Sequence, residues 1–188
     1  MALILLTPAA GLGACGGKEE PTITQPVETV DEPAELPKRW TRHVSRTGGF
    51  SVGVPPGWKA RDRDRTTLLR PEDRLVVVSI TADRSADALR VGLDDYAQET
   101  AKRLPGLQKL KLNSPVPFEG ARYPGFAVRG KGTAKGGVRE RLLVVVMRRS
   151  DLAAYAALVA SNARAPARRE RKAKRILRTL TGRPAAEG

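Results

Sequence analysis

Hydrophobic and polar positions change their spacing several times along this chain. Phe50-Ser51-Val52-Gly53-Val54 alternates apolar with small residues and stops at Pro55-Pro56-Gly57-Trp58, a strand running into a turn. Thr66 to Leu69 can form a second short strand. Leu75 to Ile80 (LVVVSI) is rich in β-branched residues and is the strongest strand signal. From Ser85 to Leu104 the spacing becomes helical. Leu89, Leu93, Tyr96, Ala97, Thr100 and Leu104 recur at steps of three and four and share one face. Ser85 or Asp87 can cap the start, and Pro105-Gly106 ends the helix.

Alternation then returns. Leu107 to Leu112 reads as a strand, and Gly120 to Thr133 carries Tyr123, Phe126 and Val128 between Gly and Pro breaks. Val138 to Arg149 is a long strand with a buried run at Leu142–Met147. Lys131–Gly137 reads as the hairpin loop between these two. Leu152 to Ala160 (LAAYAALVA) has helix-forming composition. Its place after a long strand and a Ser150-Asp151 turn makes it a paired strand. Pro166 to Leu180 is a second helix, with Ala173, Ile176, Leu177 and Leu180 on its inner face. Thr181-Gly182-Arg183-Pro184 ends it. Strands joined by short turns pair antiparallel, and two amphipathic helices must cover their sheet. The expected class is α+β, with six to seven antiparallel strands and two helices.

The first 37 residues read differently. Residues 2–14 (ALILLTPAAGLGA) are apolar and uncharged, and Cys15 follows. About 13 residues are too few to span a bilayer as a helix, which takes about 20. They suit the apolar core of an export signal, although no Lys or Arg precedes them. A buried strand holding a core cysteine is the other reading, against which Pro8 and four glycines argue. Residues 16–37 hold four prolines, six acids and almost no large apolar side chain. Such a stretch cannot bury enough surface to fold and acts as an extended tether. The expected organisation is a signal at 1–14, a tether at 15–37, a domain at 38–184 and a tail at 185–188.

Charge divides along the same line. Residues 1–37 contain one basic and six acidic residues, net −5. The rest carries 33 basic and 14 acidic residues, net +19. Either the domain meets an anionic partner, or the excess is compositional, since 24 of the 34 basic residues are Arg. The clearest concentration is the last helix. Arg168, Arg171, Lys172 and Arg175 share a stripe at 100° per residue, a basic amphipathic pattern suited to anionic surfaces. Arg61, Arg63 and Arg65 form a smaller cluster.

Candidates for catalysis are sparse. The chain has one Cys and one His, so neither an internal disulfide nor a Cys-based zinc site is open to it. Asp94 and Asp95 are neighbours on a helix and diverge by about 100°, which suits a solvated face. His43 sits in the basic run Lys38–His43 without a nearby acid in sequence and reads as an exposed structural His. Trp58 is expected to pack on a sheet edge or helix. No catalytic residue, metal or cofactor is expected, and the chain reads as no enzyme.

Two stretches resemble known families. Leu12-Gly13-Ala14-Cys15 resembles the bacterial lipobox, which implies cleavage before Cys15 and lipid on its sulfur and new amino group. Gly49-Phe50-Ser51-Val52-Gly53-Val54-Pro55-Pro56-Gly57-Trp58 resembles the opening of PsbP-like domains. Lipobox, acidic spacer and this opening together resemble small bacterial lipoproteins of the LpqN type. The resemblance implies an α/β/α sandwich over about residues 47–181 and a binding role rather than catalysis. The expected protein is then lipid-anchored at the extracytoplasmic face of the cell membrane. It would contact anionic lipid, an envelope polymer or a protein partner. The alternative from another class is a cytoplasmic nucleic-acid binder using its basic surface; export would remove that partner.

Overall fold

The computed structural model describes residues 32, 34–149 and 153–182. The leader, Cys15, most of the tether, the Ser150-Asp151 turn and the tail lie outside the described residues. The chain builds two sheets. The smaller has three strands, β1 (Thr41–Ser45), β2 (Phe50–Val54) and β11 (Thr181–Gly182), in the order β1-β2-β11. The larger has eight: β3 (Trp58–Arg63), β4 (Thr66–Pro71), β5 (Val76–Asp83), β6 (Leu107–Leu112), β7 (Val116–Pro117), β8 (Gly125–Ala134), β9 (Arg139–Arg149) and β10 (Ala153–Asn162). Their order is β3-β4-β5-β10-β9-β8-β6, with β7 paired to β8, and every pairing is antiparallel. Three helices complete the domain: α1 (Ala86–Arg90), α2 (Leu93–Lys102) and α3 (Ala167–Arg178).

The large sheet is covered on both faces, as the expected sandwich requires. Val145 on β9 lies opposite Ala127 on β8 and Ala157 on β10. That parity places Leu143, Val145 and Met147 with Tyr155, Val159, Val78 and Ile80. Against them pack Ala173, Ile176 and Leu177 of α3, with Phe50 and Val52 of the small sheet. Val144 and Val146 point the other way and meet Ala97 and Ala101 of α2. Central strands buried on both faces read as continuous apolar runs, which explains LLVVVM in β9. Full burial of Ile176 or Leu177 contributes about 1.5–3 kcal/mol each. The inner face expected for the last helix is therefore the observed one, and residues 153–162 are a strand.

The small sheet is locked onto this core. Phe50 meets the Tyr155 ring edge-on at 5.8 Å, and Tyr123 stacks on Tyr155 at 5.9 Å. The backbone of Gly182 donates to the Tyr123 hydroxyl at 2.7 Å. A Cβ there would stand 2.6 Å from the Tyr155 hydroxyl, so β11 needs a glycine at this approach.

Several elements depart from the sequence reading. The sheet has eight strands rather than six or seven, and β1, β3, β7 and β11 were not anticipated. β1 hides in the basic run because Arg42 and His43 interrupt its alternation. The helix expected over residues 85–104 is two helices. Ser85 caps α1, its hydroxyl accepting from the Ala88 N–H at 3.3 Å. Val91 and Gly92 are then extended, at ψ 151° and 138°. Glycine is costly inside a helix, and the Arg148 guanidinium donates to the Ala88 and Val91 carbonyls that the break leaves without helical partners. The expected Lys131–Gly137 loop is mostly strand. β8 runs on to Ala134, and the turn is made by Gly136 and Gly137 at φ 87° and 80°.

Candidate anion-binding groove

Helix α3 creates the site by what it covers and what it leaves open. It packs over β10, β5 and β2, anchored by its apolar face. On the same side of the sheet, the outer part of β9 and strands β8 and β6 stay uncovered. A groove of about 380 Å³ lies between them and the helix. Its principal lining side chains are Lys111, Arg129, Lys131, Arg141, Lys174 and Glu170.

The strand register arranges the cations. Lys131 on β8 lies directly opposite Lys111 on β6 and Arg141 on β9. Arg141 in turn faces Ser161 on β10. Three basic residues therefore stand side by side in one row. Like charges at directly opposed positions destabilise a sheet. Among the described residues only Arg141 in this row is ion-paired, its Nε donating to Glu170 Oε1 at 2.6 Å. Arg141 also donates to the Ala165 carbonyl at 2.8 Å. These two bonds tie the first turn of α3 to β9 and set the groove's width.

The next row is different. Arg129 lies opposite Leu143, and Leu143 opposite Val159. Leu143 and Val159 are buried and give the groove an apolar floor beside its charged row. Strand β6 can approach closely because position 130 is glycine. A Cβ on Gly130 would stand 2.7 Å from Leu112 Cδ2 and 2.8 Å from the Lys111 carbonyl oxygen. A register shift between Gln108 and Lys111, with Lys109 at φ 51°, re-aims β6 near its start. The groove continues past Lys109 and Arg139 at one end and past Phe118 and Arg178 at the other.

The four stripe residues lie on α3. Arg168, Arg171 and Arg175 are exposed and Lys172 is half-buried. Their surroundings differ. The Arg175 guanidinium sits 5.7 Å from the Trp40 ring centre, a cation–π contact. Arg175 and Arg178 lie in the last turn, where cations complement the helix dipole. Leu36 and Pro37, just before the domain, border a second recess with Arg171, Lys174 and Arg175.

No family model matches the sequence, and no curated protein does. Solved structures do. The cyanobacterial PsbP (CyanoP) of Synechocystis superposes with a TM-score of 0.58 at 13% identity, over 91% of this chain and 98% of that one. A Bacteroides thetaiotaomicron protein gives 0.55 at 15% identity over 78% of this chain, and the match spans only 49% of that longer protein. The Saccharomyces cerevisiae Ran-binding protein Mog1p gives 0.50 at 10% identity, over 77% and 95%.

The fold is that of PsbP and Mog1. The expected PsbP-like sandwich is thus the observed one, and these likenesses speak of fold alone.

Within this PsbP-like fold the other candidates fall in separate places. His43 is not without an acid. Its Nε2, on β1 of the small sheet, lies 2.8 Å from Asp62 Oδ1 on the edge strand β3 of the large one. Asp62 also accepts from the Thr67 hydroxyl at 2.6 Å. Burial alone would raise the Asp62 carboxyl, but the hydrogen bonds from Thr67 and His43 and the His43 charge outweigh it and hold it below its ordinary value. The contact joins the two sheets. Asp94 and Asp95 are exposed in the first turn of α2, as a solvated acid pair should be. Trp58 is buried on the edge strand β3 against the core. Arg61, Arg63 and Arg65 are exposed and far from the groove in strand order.

Sequence reasoning missed the groove cations. A signal for them exists. Arg129 and Lys131, and likewise Arg139 and Arg141, sit two apart on strands and share the parity of the buried Val145 and Met147. Cations on the core-facing parity of a strand mark where the cover ends.

Proposed function

We propose that this chain is a non-catalytic binding module of the cell envelope, held at the membrane through lipid on Cys15, whose basic face engages an anionic partner. The observation that carries the binding role is the cationic face built around α3. One side of that helix is buried, the other presents Arg168, Arg171, Lys172 and Arg175, and the groove beside it adds a row of three more cations. Near an anionic surface each Lys or Arg contributes about 1 kcal/mol of attraction. Glu170, the carboxylate lining the groove beside α3, is already paired with Arg141. Support for a binding role also comes from the fold, since Mog1p is itself a Ran-binding protein. Support for the anchor comes from Leu12-Gly13-Ala14-Cys15, with two or more acyl chains giving stable attachment where one does not. No helix among the described residues is long and apolar enough to cross a membrane.

Two measurements test this reading. Globomycin treatment of cells making the full chain should raise its mass by retaining the leader, and Cys15→Ala should release it from the membrane fraction. An unchanged mass, or membrane attachment that survives Cys15→Ala, removes the anchor. The full chain should bind phosphatidylglycerol vesicles at low salt and lose them at high salt, and Arg171→Gln should weaken that binding. Equal binding to phosphatidylcholine vesicles removes the anionic partner.

A further inference from the structure

We infer that the groove is a pocket for a single small amphiphile, a phosphate monoester carrying a short apolar substituent. This deepens the binding-module reading and rests on it. The argument starts from the cross-strand row. Directly opposed residues on one face of a sheet have Cβ atoms about 5 Å apart. Lys111, Lys131 and Arg141 are opposed in that way, so their long side chains can converge on one group. Lys111 and Lys131 have no carboxylate partner among the described residues, and Lys174 stands across the groove on α3. Three or four cations on one group call for an anion with more than one charge and several acceptor oxygens. A phosphate monoester supplies three such oxygens and close to two charges near neutral pH. A lone carboxylate would satisfy only part of the row.

The apolar half follows from the next rows. One step along the strands, beside Arg129, the floor becomes Leu143 and Val159, and one step further it reaches Ala127. Phe118 and the exposed Val116 lie beyond, at the same end. The groove therefore offers an apolar floor next to its charged row, with Arg129, Lys174 and Arg178 along its walls. Its volume of about 380 Å³ lies within the range of small-ligand pockets, about 300–1,000 Å³. A vesicle surface would meet the exposed stripe of α3. A recess of this size, walled by the helix and the sheet, admits one molecule.

The test is calorimetric titration of the full chain with three probes: hexyl phosphate, inorganic phosphate and hexanol. Hexyl phosphate should bind saturably and at least tenfold more tightly than inorganic phosphate, and hexanol should show no saturable binding. Lys131→Met, Lys111→Met and Lys174→Met should each weaken hexyl phosphate about tenfold or more, the loss expected for one charge-assisted hydrogen bond. A thermal melt establishes that each variant is folded, and any folded one of the three decides. Arg171→Gln, on the outer stripe, should leave hexyl phosphate binding unchanged. Equal affinity for inorganic and hexyl phosphate, saturable binding of hexanol, or unchanged affinity in the folded lysine variants overturns the pocket. A chain that loses vesicle binding in Arg171→Gln yet keeps hexyl phosphate supports the pocket as separate from the surface. A chain that binds hexyl phosphate as stated but never binds anionic vesicles fails the surface reading and leaves the pocket supported.

Discussion

Replacing Lys131 by Met should make the unliganded protein more stable. Lys131 stands between Lys111 and Arg141 at directly opposed positions. A favourable cross-strand pair is worth about 0.2–1 kcal/mol and a like-charge pair is unfavourable; with a cost of similar size, two pairs set an upper bound of about 2 kcal/mol. Two facts reduce it. Arg141 is partly neutralised by Glu170 at 2.6 Å, which leaves Lys111 as the main opponent. Lys131 is exposed, so water screens the repulsion. The expected gain is about 0.5–1 kcal/mol. For a chain of this size that is a rise in Tm of roughly 1–4 °C. Met keeps the aliphatic stem of Lys, so packing along the strand is preserved. The assay is calorimetric melting of the full chain and Lys131→Met at about 10 mM and about 1 M NaCl, where the screening length falls from about 30 Å to about 3 Å. The gain should appear at low salt and shrink to near zero at high salt. A lower Tm at low salt, or a gain that ignores salt, would refute the claim that the row is self-repelling.

Three further outcomes are expected. Ile176→Ala empties a fully buried site between α3 and the large sheet and should cost about 2–5 kcal/mol, read as a lowered denaturant midpoint. Gly125→Ala would place a Cβ 2.6 Å from the Val146 carbonyl oxygen, a backbone atom that cannot step aside, and should cost about 1–3 kcal/mol in the same melt. Asp62→Asn should be less stable than the parent near neutral pH. The Asp62 carboxyl titrates lower when folded than when unfolded, so its contribution is present above the unfolded value of about 3.9 and is lost as pH falls through the folded value. The gap between the two proteins should therefore close below about pH 4, and an equal gap at pH 7 and pH 3 would show that the His43–Thr67–Asp62 cluster is not its source.

Much of the fold was legible because burial imposes periodicity. The runs around Val76–Ile80 and Leu142–Met147 are strands buried in the middle of a sheet, and Ala173, Ile176 and Leu177 lie on the face that α3 buries. Residues 153–162 show tertiary context overriding helix propensity: despite five alanines they pair along their length with β5 on one side and β9 on the other. What was hidden has physical causes. β1 and β3 are edge strands whose outer positions carry Arg, His and Asp, and edge strands need little apolar surface. β11 is two residues long and is recognisable only from its partners, Ser51 and Phe50. The break at Val91-Gly92 depends on Arg148, more than fifty residues away. The stripe on α3 was visible because a helix shows its faces in local sequence. The groove was not, because Lys111, Lys131 and Arg141 meet only through strand pairing.

The two faces of the large sheet differ in a way that bears on function. On one, the Val128–Val144–Val146 surface of β8 and β9 is covered by α2, and apolar side chains meet apolar side chains. On the other, the same two strands carry Arg129, Lys131 and Arg141 where α3 ends its cover. Strand pairing by itself would favour alternating charge or small polar residues at those positions. Alternating charge is in fact within reach, since Glu140 sits next to Arg141 in sequence but on the opposite parity. Exchanging the two would set a carboxylate opposite Lys131 but also against Glu170, and would leave Lys111 facing Lys131. Local rules broken without a compensating bond inside the molecule are expected where the compensating bond lies outside it. Helix α3 borders the row along its first two turns. Its first turn gives Glu170 to Arg141, which orients the row and neutralises one member, while Lys174 one turn later adds a cation from the other wall. The phosphate proposed above would supply the charge that this row lacks, and the lysine variants decide between that ligand and surplus surface charge on a basic domain.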